Sequence, residues 1–321
     1  MNMRHATAVM IGPDDWYSSI GKETSDTSFR ISALKRDDRI TTVLAPSRYP
    51  EKIWSLLFPL SLTDTVFLNV DRIDRNLGET LIALDLAGMK KGRMNVADTV
   101  DRSMFASLVK GTVVEGYSDM DPDPATLREE LLDIENGWPD GSTRIVIDQA
   151  FPVKGVGTVA LGFVTSGTVR KHQDLFAFCS GQRTQVRSIQ IHDRDHSEAP
   201  AGSRVGLALK NITPEDLPRG SLLSEEGSAS STDILDLSVR VSDYWKEPME
   251  AGRRIHLWSS LQFVPAEVET AAVVKGSAGS GSTIRIRIRT ESPIWTVDGQ
   301  RFGLVHLDSG TFRYFAAGET I

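Results

Sequence analysis

The chain has 321 residues, 40% of them hydrophobic and 25% charged, with a net charge of −7. This is the balance of an ordinary globular protein with room for two or three domains, and no apolar run is long enough to cross a bilayer. The acidic balance argues against a general nucleic-acid coat while leaving room for a local basic face. A single cysteine, Cys179, excludes an intrachain disulfide, and the first residues, Met-Asn-Met-Arg-His, lack the apolar stretch of a signal peptide, so a reducing cytoplasm is the expected setting.

"HATAVMIG" begins the ordered pattern as a short apolar strand, and "PDDWYSSIGK" follows it as a turn and short helix. A strand delivering a glycine loop to a helix is how a phosphate-binding loop is built. There the backbone N–H groups face phosphate, a lysine neutralises it and a hydroxyl holds Mg²⁺. The spacing here is wrong. Gly12 to Gly21 is nine steps where the motif needs five, Lys22 is followed by Glu23, and Trp16 occupies the place of the loop's first glycine. Asp14 and Asp15 would also repel a polyanion.

Further on, "RITTVL" and "TVFLNV" read as strands, and "PEKIWSLLFPL", "GETLIALDLAG" and "PATLREELLDIE" as helices, giving an α/β domain with a parallel sheet over residues 1 to 140. "NGWPDGS" is a linker. From Thr143 short strands separated by turns replace the helices, in "RIVIDQAF", "GTVALGFV", "TQVRSIQI" and "RVGLAL", which predicts a β-barrel over 143 to 226. After the polar linker "SEEGSASST", a second strand series predicts another barrel over 232 to 321.

Two stretches in the barrels carry chemistry. "IHDRDH" places His192, Asp193, Asp195 and His196 together. It reads as a polar wall for an amine or polar side chain, as a metal site whose spacing arises often by chance, or as a solvated loop. "STIRIRIRTE" alternates Ile284, Ile286 and Ile288 with Arg285, Arg287 and Arg289, so one face of a strand presents three arginines, to a phosphate backbone or to nearby carboxylates. No Ser–His–Asp or Cys–His arrangement is present to supply a catalytic nucleophile.

"FPVKGVGTVALGFVTSGTVRKHQDL", with turn glycines Gly155, Gly157, Gly162 and Gly167, and "APAGSRVGLALKN", with the closing Arg219-Gly220, resemble the second domain of translational GTPases of the elongation factor Tu and SelB type. The resemblance covers about eighty residues there, and "RSIQIHD" and "ALDLAG" resemble archaeal SelB-like factors in particular. It implies a G-domain-like parallel sheet followed by two barrels. It also implies a G domain stripped of its chemistry. "LAPSRYP" stands where the family has Asp-x-Pro-Gly-His, with Leu44 for the Mg²⁺ aspartate, Ser47 for the glycine and Arg48 for the histidine. "NVADTVD" imitates the guanine-reading Asn-Lys-x-Asp through Asn95 and Asp98, with Val96 for the lysine, although gapless pairing from Gly88 would put Ala97 and Val100 there. Gly12, Asn95 and Asp98 are therefore the expected nucleotide remnants, and only about twenty residues are left for a first switch.

By position, the resemblance puts Gln190, His192, Asp193 and Arg204 in the aminoacyl pocket and tilts Arg285, Arg287 and Arg289 toward the stem of a tRNA. The expectation is a degenerate elongation-factor paralogue that binds aminoacyl-tRNA, RNA or the ribosome without a GTP cycle, with no catalytic residue, cofactor, metal or membrane partner. The alternative is an active GTPase delivering a special aminoacyl-tRNA through substituted motifs, and only then would GTP and Mg²⁺ be cofactors. A third option keeps the barrels as a purely structural interaction surface.

Overall fold

The structure is a computed structural model that describes residues 3–21, 23–26, 28–275 and 281–321; Lys22 lies outside the described residues. The chain divides into two compact units. The first holds Met1–Gly137 together with His306–Ala316, and the second holds Trp138–Val305 with Ala317–Ile321.

In the first unit, the order is β1 (Arg4–Ile11), α1 (Asp14–Ser18), β2 (Glu23–Asp26), β3 (Phe29–Arg36), β4 (Arg39–Pro46), α2 (Trp54–Leu60), β5 (Thr65–Val70), α3 (Arg75–Ala87), β6 (Lys91–Val96), α4 (Arg102–Val109), β7 (Ser118–Asp119) and α5 (Pro124–Leu132). They form one sheet in the order β2-β3-β4-β1-β5-β6-β7. β4, β1, β5, β6 and β7 run parallel, while β3 returns antiparallel on β4 and β2 on β3. The sheet is therefore mixed where the sequence pattern predicts a parallel one. A two-residue turn, Asp37-Asp38, joins β3 to β4, and a turn that short makes only an antiparallel pair.

The last six residues of β1 are all buried, as the apolar run requires of a strand covered on both faces. Ala8 and Met10 share one core with Val43, Ala45 and Phe67 of the sheet, Trp16 and Tyr17 of α1, and Leu127 and Leu131 of α5. Asp74 caps α3 by accepting from the N–H of Leu77, and Gly88, at φ 72°, ends that helix in the left-handed conformation. β2 and β3 take up most of the residues between α1 and β4, which leaves little chain there for a long loop among the described residues.

The second unit begins with β8 (Arg144–Val153), β9 (Gly157–Ser166), β10 (Thr168–Arg170), β11 (Asp174–Ala177), β12 (Gln182–Ile191), β13 (Arg194–His196), β14 (Glu198–Pro200), β15 (Arg204–Lys210) and β16 (Leu222–Ser224). The ring β11-β16-β8-β9-β15-β12 closes through pairing of β12 with β11, with β13 attached to β12 and a small β10–β14 ribbon beside it. The last strands are β17 (Ser230–Val241), β18 (Arg254–Ser259), β19 (Gln262–Lys275), β20 (Thr283–Thr296), β21 (Arg301–Val305) and β22 (Tyr314–Thr320), closed in the order β17-β20-β19-β18-β21-β22. The two barrels meet at Gly220. Its φ is 85°, a Cβ there would stand 2.7 Å from the carbonyl oxygen of Leu261, and its own carbonyl accepts from the indole N–H of Trp295 at 2.6 Å. That close approach needs glycine.

Candidate functional site

The C-terminal ends of β1, β5 and β6 lie side by side, which is where an open α/β sheet binds ligands. Gly12 follows β1 directly. A Cβ on it would stand 2.9 Å from Asn69 Cβ and 3.0 Å from Trp16 Cε3, so the missing side chain makes room for packing. Asn69 and Asn95 are in register on β5 and β6, and the Asn95 amide donates to Asn69 Oδ1 at 2.9 Å. Gly12 and Asn95 are thus both neighbours of Asn69. Asp98 stands apart, fully exposed, with Oδ1 3.5 Å from Arg102.

The loop after β1 is occupied by the protein's own side chains. Trp16 and Tyr17 are buried, and Arg30 stacks on the Tyr17 ring at 4.9 Å, pairs with Asp14 and donates to the Pro46 carbonyl at 3.4 Å. Leu44 is fully buried on β4, between Val9 and Ile31 in register. The loop that follows is tied down, because the N–H groups of Ser47 and Arg48 both donate to Ser55 Oγ, at 3.0 and 2.9 Å. Ser55 in turn donates to the Ser28 carbonyl at 2.6 Å. The Arg48 side chain is exposed.

In the first barrel the pocket candidates fall into two groups. His192 and Asp193 are the two central residues of the tight β12–β13 turn, with φ of 48° and 60°, the left-handed pair such a hairpin demands. Both are exposed, and Gln190 donates to Asp195 across the hairpin at 3.0 Å. Arg204 instead belongs with Asp148 and Arg219. Asp148 lies between Ile147 and Gln149, where the register of β8 on β9 shifts, and such a bulge re-aims a side chain. Its side chain has no exposed surface, Arg219 stands 3.1 Å from Oδ1, and Oδ2 has no hydrogen-bond partner. Burial raises the Asp148 carboxyl above the ordinary carboxylate range, against the pull of Arg219 and Arg204. Burial likewise lowers Arg204, whose Nε is enclosed without a hydrogen-bond partner. Sequence reasoning missed Asp148, although a lone carboxylate inside the apolar run "RIVIDQAF" was a visible signal.

On β20 two of the three arginines of the stripe are paired with carboxylates, the second of the two alternatives that the sequence leaves open. Arg287 makes two hydrogen bonds to Asp236, at 2.8 and 2.6 Å, and Arg289 reaches Glu269 at 2.7 Å and Asp233 at 3.2 Å. The neighbouring strands β17 and β19 supply these carboxylates, a cross-strand effect the run "RIRIR" alone does not reveal. Among the described residues only Arg285 of the three makes no ion pair. An open groove of about 470 Å³ lies elsewhere on the first barrel, between Phe176, Arg183, Lys210 and Glu226, and none of the candidate residues lines it. Among the described residues no three His, Cys, Asp or Glu side chains gather as a metal would need.

Residues 157–224 match the family elongation factor Tu domain 2. The chain is 35% identical over 252 residues to an uncharacterized protein of Methanocaldococcus jannaschii, covering 78% of this chain and 81% of that one. It is 28% identical over 337 aligned positions to the selenocysteine-specific elongation factor of the same organism, across 93% of this chain and 71% of that factor. The solved translation elongation factor SelB of Methanococcus maripaludis, in complex with the GTP analogue GppNHp, shares the fold with a TM-score of 0.82 at 20% identity, over all of this chain and 79% of that one. The chain belongs to the SelB/EF-Tu-like family of translation factors.

As a SelB/EF-Tu-like chain it has the family's barrels, and one of its turn glycines, Gly167, is under steric demand. Gly167 has φ 62°, and a Cβ there would stand 2.5 Å from the Gly141 carbonyl. Among the described helices of this SelB/EF-Tu-like chain, none is long and apolar enough to cross a membrane.

Proposed function

We propose that this chain is an elongation-factor paralogue that binds aminoacyl-tRNA, or another RNA or ribosomal surface, without a GTP cycle. The observation that carries this reading is the seat of Trp16. The indole is buried against Gly12 where a phosphate loop would wrap its ligand, and Leu44 offers no oxygen to Mg²⁺. With Ser47 and Arg48 held by Ser55, the loop after β4 has protein partners in place of a γ-phosphate. On this reading Arg204, with Asp148 and Arg219 beside it, is the charged wall that meets the aminoacyl group, and the hairpin tip His192-Asp193 flanks it. Cytoplasmic localisation follows from such partners.

A second reading, an active GTPase with substituted motifs, is favoured by the relative solved with a GTP analogue. Titration with mant-GTP and mant-GDP, with and without Mg²⁺, separates the two. The proposal expects no saturation in the micromolar range, and Mg²⁺-dependent micromolar binding would overturn it. Filter binding of charged and deacylated tRNA tests the other half. Arg204→Gln should reduce the preference between them, whereas equal, unchanged binding of both would remove the aminoacyl pocket.

A further inference from the structure

Within the first unit, the segment His306–Ala316 is held by one side of α3. Arg313 spends most of its hydrogen-bonding capacity there. Its backbone N–H and Nε donate to Glu79 Oε1 at 2.9 and 3.0 Å, Nη2 donates to Oε2, and Nη1 reaches the Glu51 carbonyl at 3.4 Å. Glu79 is only 5% exposed. One turn earlier, Arg75 donates to the Thr311 carbonyl, and Gly78 lacks a side chain where the Phe312 ring lies, 3.1 Å from the place of a Cβ. The same helix also holds the loop after β4, through the Tyr49 hydroxyl, which donates to the Asn76 carbonyl at 2.7 Å.

Such an arrangement differs from a surface ion pair in kind. A buried carboxylate that loses its guanidinium partner is left as an uncompensated charge, so breaking this contact is costly. Both the 49–51 loop and the 309–313 segment converge on it through the protein's own groups. We propose that Glu79 and Arg313 form a conformational clasp, holding α3, the loop after β4 and segment 309–313 in one arrangement whatever the nucleotide. Opening the clasp is a local, sub-global event that releases both segments together. The inference stands apart from the RNA-binding reading, since it concerns how this surface is held and not what it binds.

Hydrogen-exchange mass spectrometry on the full chain tests it, with wild type, Arg313→Ala, Arg313→Lys and Glu79→Gln compared. In Arg313→Ala and Glu79→Gln, exchange of peptides covering 306–316 and 48–52 should rise together by tenfold or more. Arg313→Lys should fall between them and wild type, because lysine keeps the charge and loses the fork. Amides of β1, β5 and β6 should keep their protection throughout, and millimolar GTP or GDP should leave the wild-type pattern unchanged. Three results would overturn the clasp: no change at 306–316, a uniform loss of protection across the unit, or a wild-type 306–316 segment whose exchange responds to nucleotide. If the alanine variant does not fold, the lysine and glutamine variants decide by the same criteria.

Discussion

The carboxylate of Asp148 stands 3.1 Å from the guanidinium of Arg219, in a barrel interior where the Asp148 side chain reaches no solvent. Two opposing forces act on it. Desolvation favours the neutral acid, Arg219 and Arg204 favour the anion, and desolvation is the larger. The folded chain therefore holds this proton more tightly than the unfolded chain, whose Asp titrates near 3.8. Between the two values the native state carries more protons, so this group's contribution to stability falls as pH rises through that window. Relative to Asp148→Asn, wild type should gain melting temperature as pH is lowered from neutrality toward 4. A gap that moved the other way would mean that the two arginines dominate.

Nucleotide binding is expected to be very weak. A dissociation constant of ~1 mM or weaker corresponds to only about 4 kcal/mol, which scattered contacts to Asn95 and the sheet edge could supply. Neither GTP nor GDP at sub-millimolar concentration should raise the melting temperature. A rise of several degrees would reveal an occupied, stabilising site by linkage.

Trp16 gives a sharper test of the same edge. Because the ring is 7% exposed and packs in the core with Met10, Phe67 and Leu127, Trp16→Ala should cost about 3–5 kcal/mol in urea denaturation. Leu44 still stands in place of a metal aspartate and the glycine spacing of a phosphate loop is still missing, so nucleotide affinity should not appear. Gain of Mg²⁺-dependent GTP binding in that variant would show that the indole alone closes an otherwise competent site.

These sites differ in how far the sequence reveals them. The departures from a phosphate-loop motif are legible because that motif is a matter of local spacing, and the structure adds that Trp16 and Leu44 are buried. The barrels are legible through short strands and turn glycines. The partners of Arg287 and Arg289 are not, since Asp236 lies 51 residues away in sequence and meets Arg287 only once β17 and β20 are in register. The Asp148–Arg219 pair is hidden for a similar reason. The lone carboxylate in "RIVIDQAF" is visible in the sequence, but the β8 bulge that aims it and Arg219 as its partner are not. The grip of Glu79 on Arg313 joins residues 234 apart. Contacts set by long-range register and by single irregularities are what periodicity cannot foresee.

The neutralised stripe changes what salt dependence should report. Each phosphate contact contributes about 0.9 to the slope of log affinity against log salt on duplex DNA, and a tRNA stem is taken to behave similarly. If all three arginines were open, changing them to glutamine would flatten the slope by about two to three. With Arg287 and Arg289 held by Asp236, Asp233 and Glu269, Arg285→Gln alone should flatten it by about one. Arg287→Gln and Arg289→Gln should leave it nearly unchanged. The converse variant, Asp233→Asn and Glu269→Gln with Asp236→Asn, releases both guanidiniums and should strengthen tRNA binding while steepening the slope. Melting temperature should hardly move in any of these, because exposed ion pairs contribute little to stability. Fluorescence-anisotropy titrations of tRNA across a salt series would read all of this. Equal steps from the three arginines would mean that RNA displaces the carboxylates, and no step from any of them would leave β20 a solvated, internally balanced face.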